Sequence, residues 1–387
     1  MHILCLISGQ PMPNYLPLHT LKPNAITLAV TPEMRQRAQI FSQVCGNHGL
    51  PAPELLDLPA ATELPSLLEV FTSWVEQHET EDLVLNATGG TKLMAIAAQE
   101  VFRMAGKPLF YVDAQTDRLL WLTDQEAPPE RQGEVPLKTP TIQTVLELNG
   151  YVIEEQSARS ETPSTWQTFA ETVAEHITKW RQELVTLNAI ASEAESKNDL
   201  NANQIVKSRP RPAAWDELFA ALQQSYLLAS GKGFTFASQA ARDFARGGWL
   251  ELYTFRCLKE LRIPKERCLM NVVLRAQNSQ MRNELDVVLL HRNELYILEC
   301  KARNFRQKKG DTRVDNALYK VAHLASQQGL KAKGALVSIA PLGKADRERA
   351  NLLQVKVFDN LPNLKQALEK AFLPPSAASA TQSANNQ

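Results

Sequence analysis

Residues 283–303 have the sequence NELDVVLLHRNELYILECKAR, in which two nearly continuous apolar runs flank a short polar turn. The pattern predicts two buried strands, Glu284–His291 and Glu294–Lys301, joined by a tight turn at Arg292–Asn293. Carboxylates at the ends of buried strands cost free energy unless they are paired or bind a cation. The acids of this hairpin therefore need an explanation beyond the fold.

Three charged side chains of the hairpin form a candidate catalytic centre. Asp286 lies in the first strand, and Glu299 and Lys301 lie two residues apart in the second, so both point to one face. Asp286, Glu299 and the backbone carbonyl of Cys300 can supply the oxygen ligands that Mg²⁺ and Mn²⁺ prefer. Such an ion activates water for phosphodiester hydrolysis, and Lys301 can stabilise the charge that develops. The alternative is an ordinary hairpin with a solvated, charged face.

The sequence before the hairpin adds a further acid. Ser238–Ile263 predicts a helix, or a pair of helices interrupted at Gly247–Gly248, and Glu251 follows the two glycines. Glu251 is a candidate third acid of the catalytic centre. The alternative is a glutamate on the surface of a helix.

Two features after the hairpin suit contact with a phosphate. The segment Lys301–Lys309, KARNFRQKK, is basic and holds one aromatic residue, as a phosphate-binding loop does, although a solvated charged loop has the same composition. Asp315, Tyr319 and Lys320 follow on the predicted helix Asp315–Gln327, from which they can face the substrate phosphate.

The net charge of zero hides an asymmetry along the chain. Residues 241–373 contain 25 Lys and Arg against 14 Asp and Glu, whereas residues 1–240 contain 17 against 28. The basic part suits contact with nucleic acid. The five cysteines form no CxxC pair, which argues against a disulfide framework or a zinc site. Without a bilayer-length apolar stretch or a basic signal-peptide start, the sequence predicts a cytoplasmic protein with no membrane contact.

The first 125 residues alternate strand and helix signals. Strands are predicted at Ile3–Ser8, Ala25–Val30, Leu83–Asn86, Pro108–Asp113 and Leu119–Thr123, and helices at Pro32–Val44, Pro65–Glu79 and Lys92–Met104. This alternation predicts a mainly parallel sheet with helices on both faces, which is a Rossmann-like α/β fold.

The middle of the chain has a different character. Residues 125–140 are rich in Pro, Glu and Gln, as a linker is, and residues 141–235 are mostly helical and polar. The predicted elements there are the helices Thr165–Ala191 and Trp215–Leu228 and the loop Ser192–Pro212.

From residue 238 a second α/β unit begins. Outside the hairpin it has the predicted strands Leu269–Arg275, Lys333–Ile339 and Val355–Phe358 and the helices Lys344–Leu353 and Leu361–Phe372.

A glycine-rich loop forms a second candidate site. Residues 86–94, NATGGTKLM, follow a predicted strand and open a helix, where free backbone N–H groups attract phosphate and glycines permit its close approach. Ser8–Asn14 follows the first strand and Thr31 follows the second. In a doubly wound sheet these loops gather at the carboxyl edge, where ligands bind. The alternative is a tight turn that caps a helix.

The motifs GGWLE, ELD and ECKA occur in this order and are followed by DxxxYK. This ordered set resembles a family of CRISPR ancillary nucleases. That family fuses a CARF sensor to a PD-(D/E)xK, restriction-endonuclease-like domain, and the resemblance covers nearly the whole chain. It implies a CARF-like domain at 1–134, a linker and helical connector at 135–237, a nuclease domain at 238–373 and a disordered tail at 374–387. Glu251 stands where such nucleases often place a third acid.

The resemblance also implies a ligand. CARF domains carry a TGGTK-type loop and a polar first loop, and they bind a cyclic oligoadenylate across the two-fold axis of a homodimer. The nuclease type that this sequence most resembles responds to cyclic tetra-adenylate. The ligand-binding positions implied by the resemblance are Ser8, Gln10, Asn14, Thr31, Thr88, Gly89, Gly90, Thr91 and Lys92.

The combined prediction is a homodimeric nuclease of type III CRISPR antiviral defence that depends on Mn²⁺ or Mg²⁺ and is activated by cyclic tetra-adenylate. It would nick or cleave DNA, with single-stranded DNA and RNA as further substrates. One alternative is a constitutive restriction or repair nuclease. Another is a non-catalytic nucleotide sensor that binds nucleic acid.

Overall fold

The computed structural model describes residues 1–59, 63–122, 128–154, 162–261, 263–277, 279–302, 313–329 and 331–372. Contacts between Cα atoms divide the chain into two compact units. The first unit comprises Met1–Val152 with Ala276–Ser279 and Gln328–Leu330, and the second comprises the remainder. None of the described helices combines the length and the apolar composition that a membrane span requires.

The described part of the first unit contains one seven-stranded sheet. Its strands are β1 (His2–Leu6), β2 (Ala25–Val30), β3 (Glu54–Asp57), β4 (Leu83–Asn86), β5 (Leu109–Asp113), β6 (Arg118–Trp121) and β7 (Glu134–Pro136). They lie in the order β3-β2-β1-β4-β5-β6-β7. The strands β1 to β5 are parallel, β6 is antiparallel to β5, and β7 is antiparallel to β6. The direction in which strands are added reverses between β1 and β4, and ligands bind at such points in open α/β sheets.

Helices cover both faces of this sheet, as predicted. They are α1 (Met12–Leu21), α2 (Arg35–Asn47), α3 (Leu64–Gln77), α4 (Lys92–Met104) and α5 (Ile142–Leu148). Successive side chains of β1 enter opposite cores, because Cys5 packs with Phe41 whereas Leu4 packs with Phe71. The predicted helix at Pro32–Val44 begins as a 3₁₀ turn, Pro32–Met34, and becomes α-helical only at Arg35.

The helix α1 was absent from the sequence prediction because it contains two prolines. Pro13 stands at the helix start, where a proline is tolerated, but Pro17 has no N–H to donate to the Pro13 carbonyl. The Asn86 side chain replaces that missing donor, since its Nδ2 donates to the Pro13 carbonyl at 3.1 Å. A tertiary hydrogen bond therefore satisfies a backbone group that the helix itself leaves unpaired.

The second unit is built on a six-stranded sheet in the described residues. Its strands are β8 (Tyr151–Ile153), β9 (Cys268–Ala276), β10 (Arg282–His291), β11 (Glu294–Lys301), β12 (Ala332–Ser338) and β13 (Lys356–Phe358), in the order β13-β12-β11-β10-β9-β8. The predicted hairpin is confirmed, because β10 and β11 pair antiparallel with Val287 opposite Leu298. Arg292 and Asn293 both adopt positive φ, 49° and 56°, as a two-residue hairpin turn requires.

Nine helices of the second unit are described. They are α6 (Ser164–Glu175), α7 (Arg181–Ser196), α8 (Asn203–Lys207), α9 (Trp215–Gln224), α10 (Gln239–Asp243), α11 (Trp249–Glu260), α12 (Arg313–Ser326), α13 (Lys344–Leu352) and α14 (Leu364–Phe372). The helical residues 164–236 and the sheet share one core, in which Phe169 and Leu218 belong to the same cluster as Leu298 and Val337.

Two predictions for the helical region are wrong. The single helix predicted at Thr165–Ala191 is two helices, because the chain breaks where buried Trp180 stacks on His176 with ring centroids 4.6 Å apart. The apolar periodicity of the sequence continues across the break because both helices pack on the same core. The loop predicted at Ser192–Pro212 contains the end of α7 and the short helix α8.

The interruption predicted at Gly247–Gly248 takes the form of a widened helical turn. The helix α10 passes through a π-helical turn, Phe244–Gly248, directly into α11. Such turns are rare and concentrate at functional sites. This one lies immediately before Glu251.

Candidate functional site

The hairpin positions Asp286 where its two strands separate. The hydrogen-bonded ladder ends at the pair Val287–Leu298, and Asp286 and Glu299 follow just beyond it. The Asp286 carboxylate takes over part of the ladder, because its Oδ2 accepts a hydrogen bond from the Cys300 N–H at 2.7 Å. Asp286 is 8% exposed and Glu299 is 1% exposed, so both acids are buried.

The backbone at Cys300 faces the two acids. In a strand, the N–H and C=O groups of one residue point to the same side, so the Cys300 carbonyl lies on the side of Asp286 with the N–H. The thiol of Cys300 is buried and lies 3.7 Å from the Thr254 hydroxyl. The geometry thus agrees with a ligand role for the carbonyl of this residue.

Two lysines neutralise the Glu299 carboxylate. Lys301 Nζ lies 2.5 Å from Oε1, as expected for two residues on one face of β11. Lys320 Nζ, from α12, lies 2.9 Å from each oxygen. The Lys320 side chain is 44% exposed and that of Lys301 is 19% exposed, so Lys320 is the more accessible cation.

Glu251 faces the same centre from α11. It lines a cavity of about 740 Å³ together with Asp286, Glu299 and Lys301, so the four predicted catalytic residues lie together. Burial, reinforced by the charges of Asp286 and Glu284, raises the pKa of Glu251 to about 8. Burial and the charge of Glu299 likewise raise the pKa of Asp286 to about 6, against the opposing charge of Lys301.

The donor set of this cavity fits a hard divalent cation. Asp286, Glu299 and the Cys300 carbonyl offer oxygen ligands, and water completes the shell of such ions. Asp286 and Glu299 are both buried and repel each other, and a bound cation would offset that repulsion. Within the described ranges, no three His, Cys, Asp or Glu side chains are already arranged as a metal cage. Glu299 would have to share its carboxylate between an ion and its lysines.

Of the three downstream residues Asp315, Tyr319 and Lys320, only Lys320 reaches the catalytic centre. Asp315 pairs with Arg349 of α13, and Tyr319 is 53% exposed, so neither enters the cavity wall. Lys320 contacts Glu299 instead of standing free for a phosphate. Of the predicted basic loop, only Lys301 and Ala302 belong to the described part of the chain, and residues 303–312 lie outside it.

The sequence prediction missed several residues of the cavity wall. They include Trp166, Phe244, Arg246, Asn271 and Glu284. The double glycine was a signal for Phe244 and Arg246, since both lie on the π-helical turn that it marks. Trp166 lies 78 or more residues before the others, and nothing in its local sequence links it to them.

In the first unit, the loops after β1 and β4 meet closely. A Cβ on Gly89 would lie 2.0 Å from the Leu6 carbonyl oxygen, which no side chain can tolerate. Gly90 has a φ of 72°, and a Cβ there would lie 2.9 Å from the Leu6 side chain. Both glycines of the TGGTK loop are therefore required by the approach of this loop to β1.

Buried amides hold these loops in place. Asn14 Nδ2 donates to the Leu6 carbonyl at 2.8 Å, and its Oδ1 accepts from Asn86 Nδ2 at 2.9 Å. Asn86 Oδ1 accepts from the Thr88 N–H at 3.1 Å. Asn14, one of the implied ligand positions, is fully buried in this network, where its side chain holds the loop in place.

The other implied ligand positions surround this edge. Thr88 Oγ1 accepts from the Val112 N–H, Ser8 Oγ accepts from the Gln10 N–H, and Thr31, 5% exposed, begins the 3₁₀ turn after β2. Thr91 caps α4 by accepting from the Met94 N–H at 3.3 Å, and exposed Lys92 opens that helix. The exposed groups thus lie at the N-terminus of α4, where the helix dipole favours an anion.

Two family models match the chain. The Card1 CARF domain matches residues 2–151, and the Card1-like endonuclease domain matches residues 238–374. A search of the curated proteins finds no match.

Solved structures match over nearly the full chain. Can2 from Sulfobacillus thermosulfidooxidans, in complex with cyclic tetra-adenylate, is 27% identical with a TM-score of 0.77, over 95% of this chain and 98% of that one. Protein VC1899 from Vibrio cholerae is 24% identical with a TM-score of 0.81, over 96% and 97%.

A type III CRISPR defence DNA nuclease activated by cyclic oligoadenylate is 20% identical with a TM-score of 0.59, over 97% of this chain and 52% of that one. The last two likenesses are likenesses of fold. With both domain models in this order, the chain belongs to the Card1-like family, in which an N-terminal CARF domain is joined to a C-terminal endonuclease domain.

Proposed function

We propose that this chain is a nuclease of type III CRISPR antiviral defence. In this proposal cyclic tetra-adenylate activates it, and Mg²⁺ or Mn²⁺ serves as its metal ion. The observation that carries the catalytic part is the convergence of Glu251, Asp286, Glu299 and Lys301 in one cavity of the endonuclease domain. The complex of Can2 with cyclic tetra-adenylate supports the choice of activator.

The cavity residues divide the work of hydrolysis. When bound, a divalent ion supplies an activated water and neutralises charge on the phosphate. Asp286, Glu299 and the Cys300 carbonyl would hold that ion. Lys301 lies next to Glu299 and stabilises the negative charge that develops on phosphate oxygens as water adds and the bond to the leaving oxygen breaks.

Glu251 is suited to handle a proton in this reaction. Its pKa of about 8 leaves it largely protonated at neutral pH before a cation binds. A protonated carboxyl beside the reacting phosphate can donate to the leaving oxygen, which must gain a proton when the phosphodiester bond breaks.

An incoming phosphate would also compete with Glu299 for Lys320, which lines the cavity and is 44% exposed.

The activator site lies at the carboxyl edge of the first sheet. Thr91 and Lys92 at the start of α4 and the backbone of Gly89 and Gly90 would receive phosphates, while Asn14 acts by holding the loops. The ring would bind across the two-fold axis of a homodimer in the cytoplasm. Activation then requires that the ligand binds the active arrangement more tightly than the resting one.

The substrate in this proposal is DNA that is nicked or cleaved, with single-stranded DNA and RNA as further substrates. The functional limits 1–134, 135–237 and 238–373, with a tail at 374–387, remain predictions. The helical residues 164–236 pack into the same core as the endonuclease sheet, which supports a shared mechanical role.

The test is a cleavage assay of the full chain on plasmid, single-stranded DNA and RNA. Each substrate is incubated with Mn²⁺, Mg²⁺ or EDTA, with and without cyclic tetra-adenylate. We expect cleavage only with metal and activator together, and we expect it to be abolished in Glu299→Gln. Glu294→Gln is the matched control, because Glu294 lies on the same strand but pairs with Lys333 outside the cavity.

The outcomes separate the alternatives. Metal-dependent cleavage that ignores the activator would favour a constitutive nuclease. Tight nucleic-acid binding without cleavage in every combination would favour a non-catalytic regulator. Full activity in Glu299→Gln would contradict the assignment of the centre.

A further inference from the structure

An aromatic platform stands inside the otherwise charged catalytic cavity. Trp166, near the start of α6, lines the same cavity as Glu251, Asp286 and Glu299 and is only partly buried. Its ring stacks on Phe244 with centroids 4.8 Å apart and planes inclined by 29°. Phe244 is 7% exposed and lies on the π-helical turn, so it backs the indole from the core side.

The start of α6 is fastened to the helix that carries Glu251. Gln167 Nε2 donates to the Thr162 carbonyl at 2.9 Å, and Gln167 Oε1 accepts from Arg256 Nη1 at 3.0 Å. Arg256 belongs to α11 and also pairs with Glu171 at 2.5 Å. These contacts tie the first turn of α6, which carries Trp166, to the helix that carries Glu251.

The chemistry of the cavity selects what such a platform can bind. Carboxylates and lysines serve an ion and a phosphate, whereas an aromatic face offers neither of them a ligand. A nucleobase has a flat π-face that stacks on tryptophan regardless of sequence, and each such stack contributes about 1–3 kcal/mol. A cavity of about 740 Å³ is large enough to hold a nucleotide.

We propose that Trp166 stacks on an unpaired base next to the scissile phosphate. Within a duplex a base is stacked and paired on its neighbours, so a base on Trp166 must have left the helix. The cavity would therefore act on unpaired positions: single strands, and bases drawn out of a duplex. This inference rests on the proposed nuclease function and names the feature of the substrate that the cavity recognises.

Binding is measured with the full chain, cyclic tetra-adenylate and Ca²⁺, on single-stranded oligonucleotides that carry 2-aminopurine at successive positions. A stacked 2-aminopurine loses fluorescence. We expect quenching at one position by the natural protein and by Trp166→Phe, and none by Trp166→Ala. Quenching at no position, or equal quenching by Trp166→Ala, overturns the proposal even where cleavage itself is normal.

Cleavage in Mn²⁺ supplies the second readout. Trp166→Ala should raise KM for an intact strand by about 5- to 150-fold, the equivalent of 1–3 kcal/mol. On a strand with an abasic site at the quenched position, the natural protein and the variant should cleave alike. An equal loss on intact and abasic strands means a structural role only and contradicts the proposal.

Phe219→Ala is the matched control, since Phe219 packs partly buried against the same core but does not line the cavity. It should leave both readouts unchanged. If the natural protein cleaves nothing, the proposed function fails, and the fluorescence experiment still decides on stacking.

Discussion

The candidate site of the first unit lies where β1 and β4 end and that of the second lies where the pairing of β10 with β11 ends, and the two are built from different chemical groups. The edge at β1 and β4 is built from amides, hydroxyls and glycines, in which Asn14 and Asn86 satisfy each other and the backbone. The centre at β10 and β11 is built from carboxylates and lysines, with acids whose pKa values are raised by burial and repulsion. The buried amides of the first site satisfy one another, whereas the buried carboxylates of the second repel each other.

The largest expected effect concerns the charged site. Lys301→Met should lower the rate of cleavage by about 10²–10³-fold, because it removes the cation that stabilises the transition state. Lys320→Met should cost less, since its side chain is more exposed and a bound phosphate can be served by Lys301 alone. The measurement is kcat on one oligonucleotide with thermal melting as the control. Equal losses in the two variants would mean that the lysines act only by neutralising Glu299.

The next effect concerns the pH dependence of stability. A carboxyl whose pKa is raised in the folded chain binds its proton more tightly there, so stability falls as pH rises from about 4 towards the raised value. Asp286→Asn removes this penalty, so at pH 8 without metal the variant should be more stable than the natural protein.

Thermal melting at pH 4 and pH 8 measures this difference, which should shrink at pH 4. Added Mn²⁺ should stabilise the natural protein more than the variant at pH 8. A variant that is less stable at pH 8 would contradict the electrostatic contrast between the two sites.

At the edge of β1 and β4, the sensitive feature is the close approach of Gly89 to the Leu6 carbonyl. Gly89→Ala should destabilise the first unit by about 1–3 kcal/mol, because the added methyl group would overlap the Leu6 carbonyl and force the loops apart. It should also weaken the binding of cyclic tetra-adenylate, measured by calorimetry. Gly9→Ala on the same edge meets no atom within 4 Å and is the control. Equal melting of the two variants would show that the loop adapts at little cost.

The last prediction tests the amide network. Asn86→Ala leaves the Thr88 N–H, the Asn14 side chain and the Pro13 carbonyl without their partner, which should cost about 1–3 kcal/mol. Chemical denaturation measures it, and exposed Asn24→Ala serves as the control. A loss no greater than that of the control would mean that water replaces the amide.

The sequence predicted the parts of the molecule in which local pattern and tertiary role agree. Four elements have the predicted bounds, namely β2, β4, β11 and α4. An apolar run sets the extent of each strand, and a cap at Thr91 marks the start of the helix. The pairing of Glu299 with Lys301 followed from strand alternation alone.

The misses have tertiary causes. The helix α1 holds a proline whose lost hydrogen bond is repaired by Asn86, which lies 73 positions from Pro13. Trp166 reaches the cavity through tertiary packing of α6, which contacts α11 through Gln167 and Arg256. The full burial of the Asn14 amide also depends on partners distant in the sequence, because it pairs with Asn86.

The turn at Arg292–Asn293 has a consequence for how this protein can evolve. The turn sets the register that places Asp286 and Glu299 opposite each other just beyond the end of the ladder. Because side chains alternate, inserting or deleting one residue there would move every side chain of one strand to the other face. Length changes at this turn should therefore be purged among descendants, and new segments can be acquired only at loops that lie outside the hairpin.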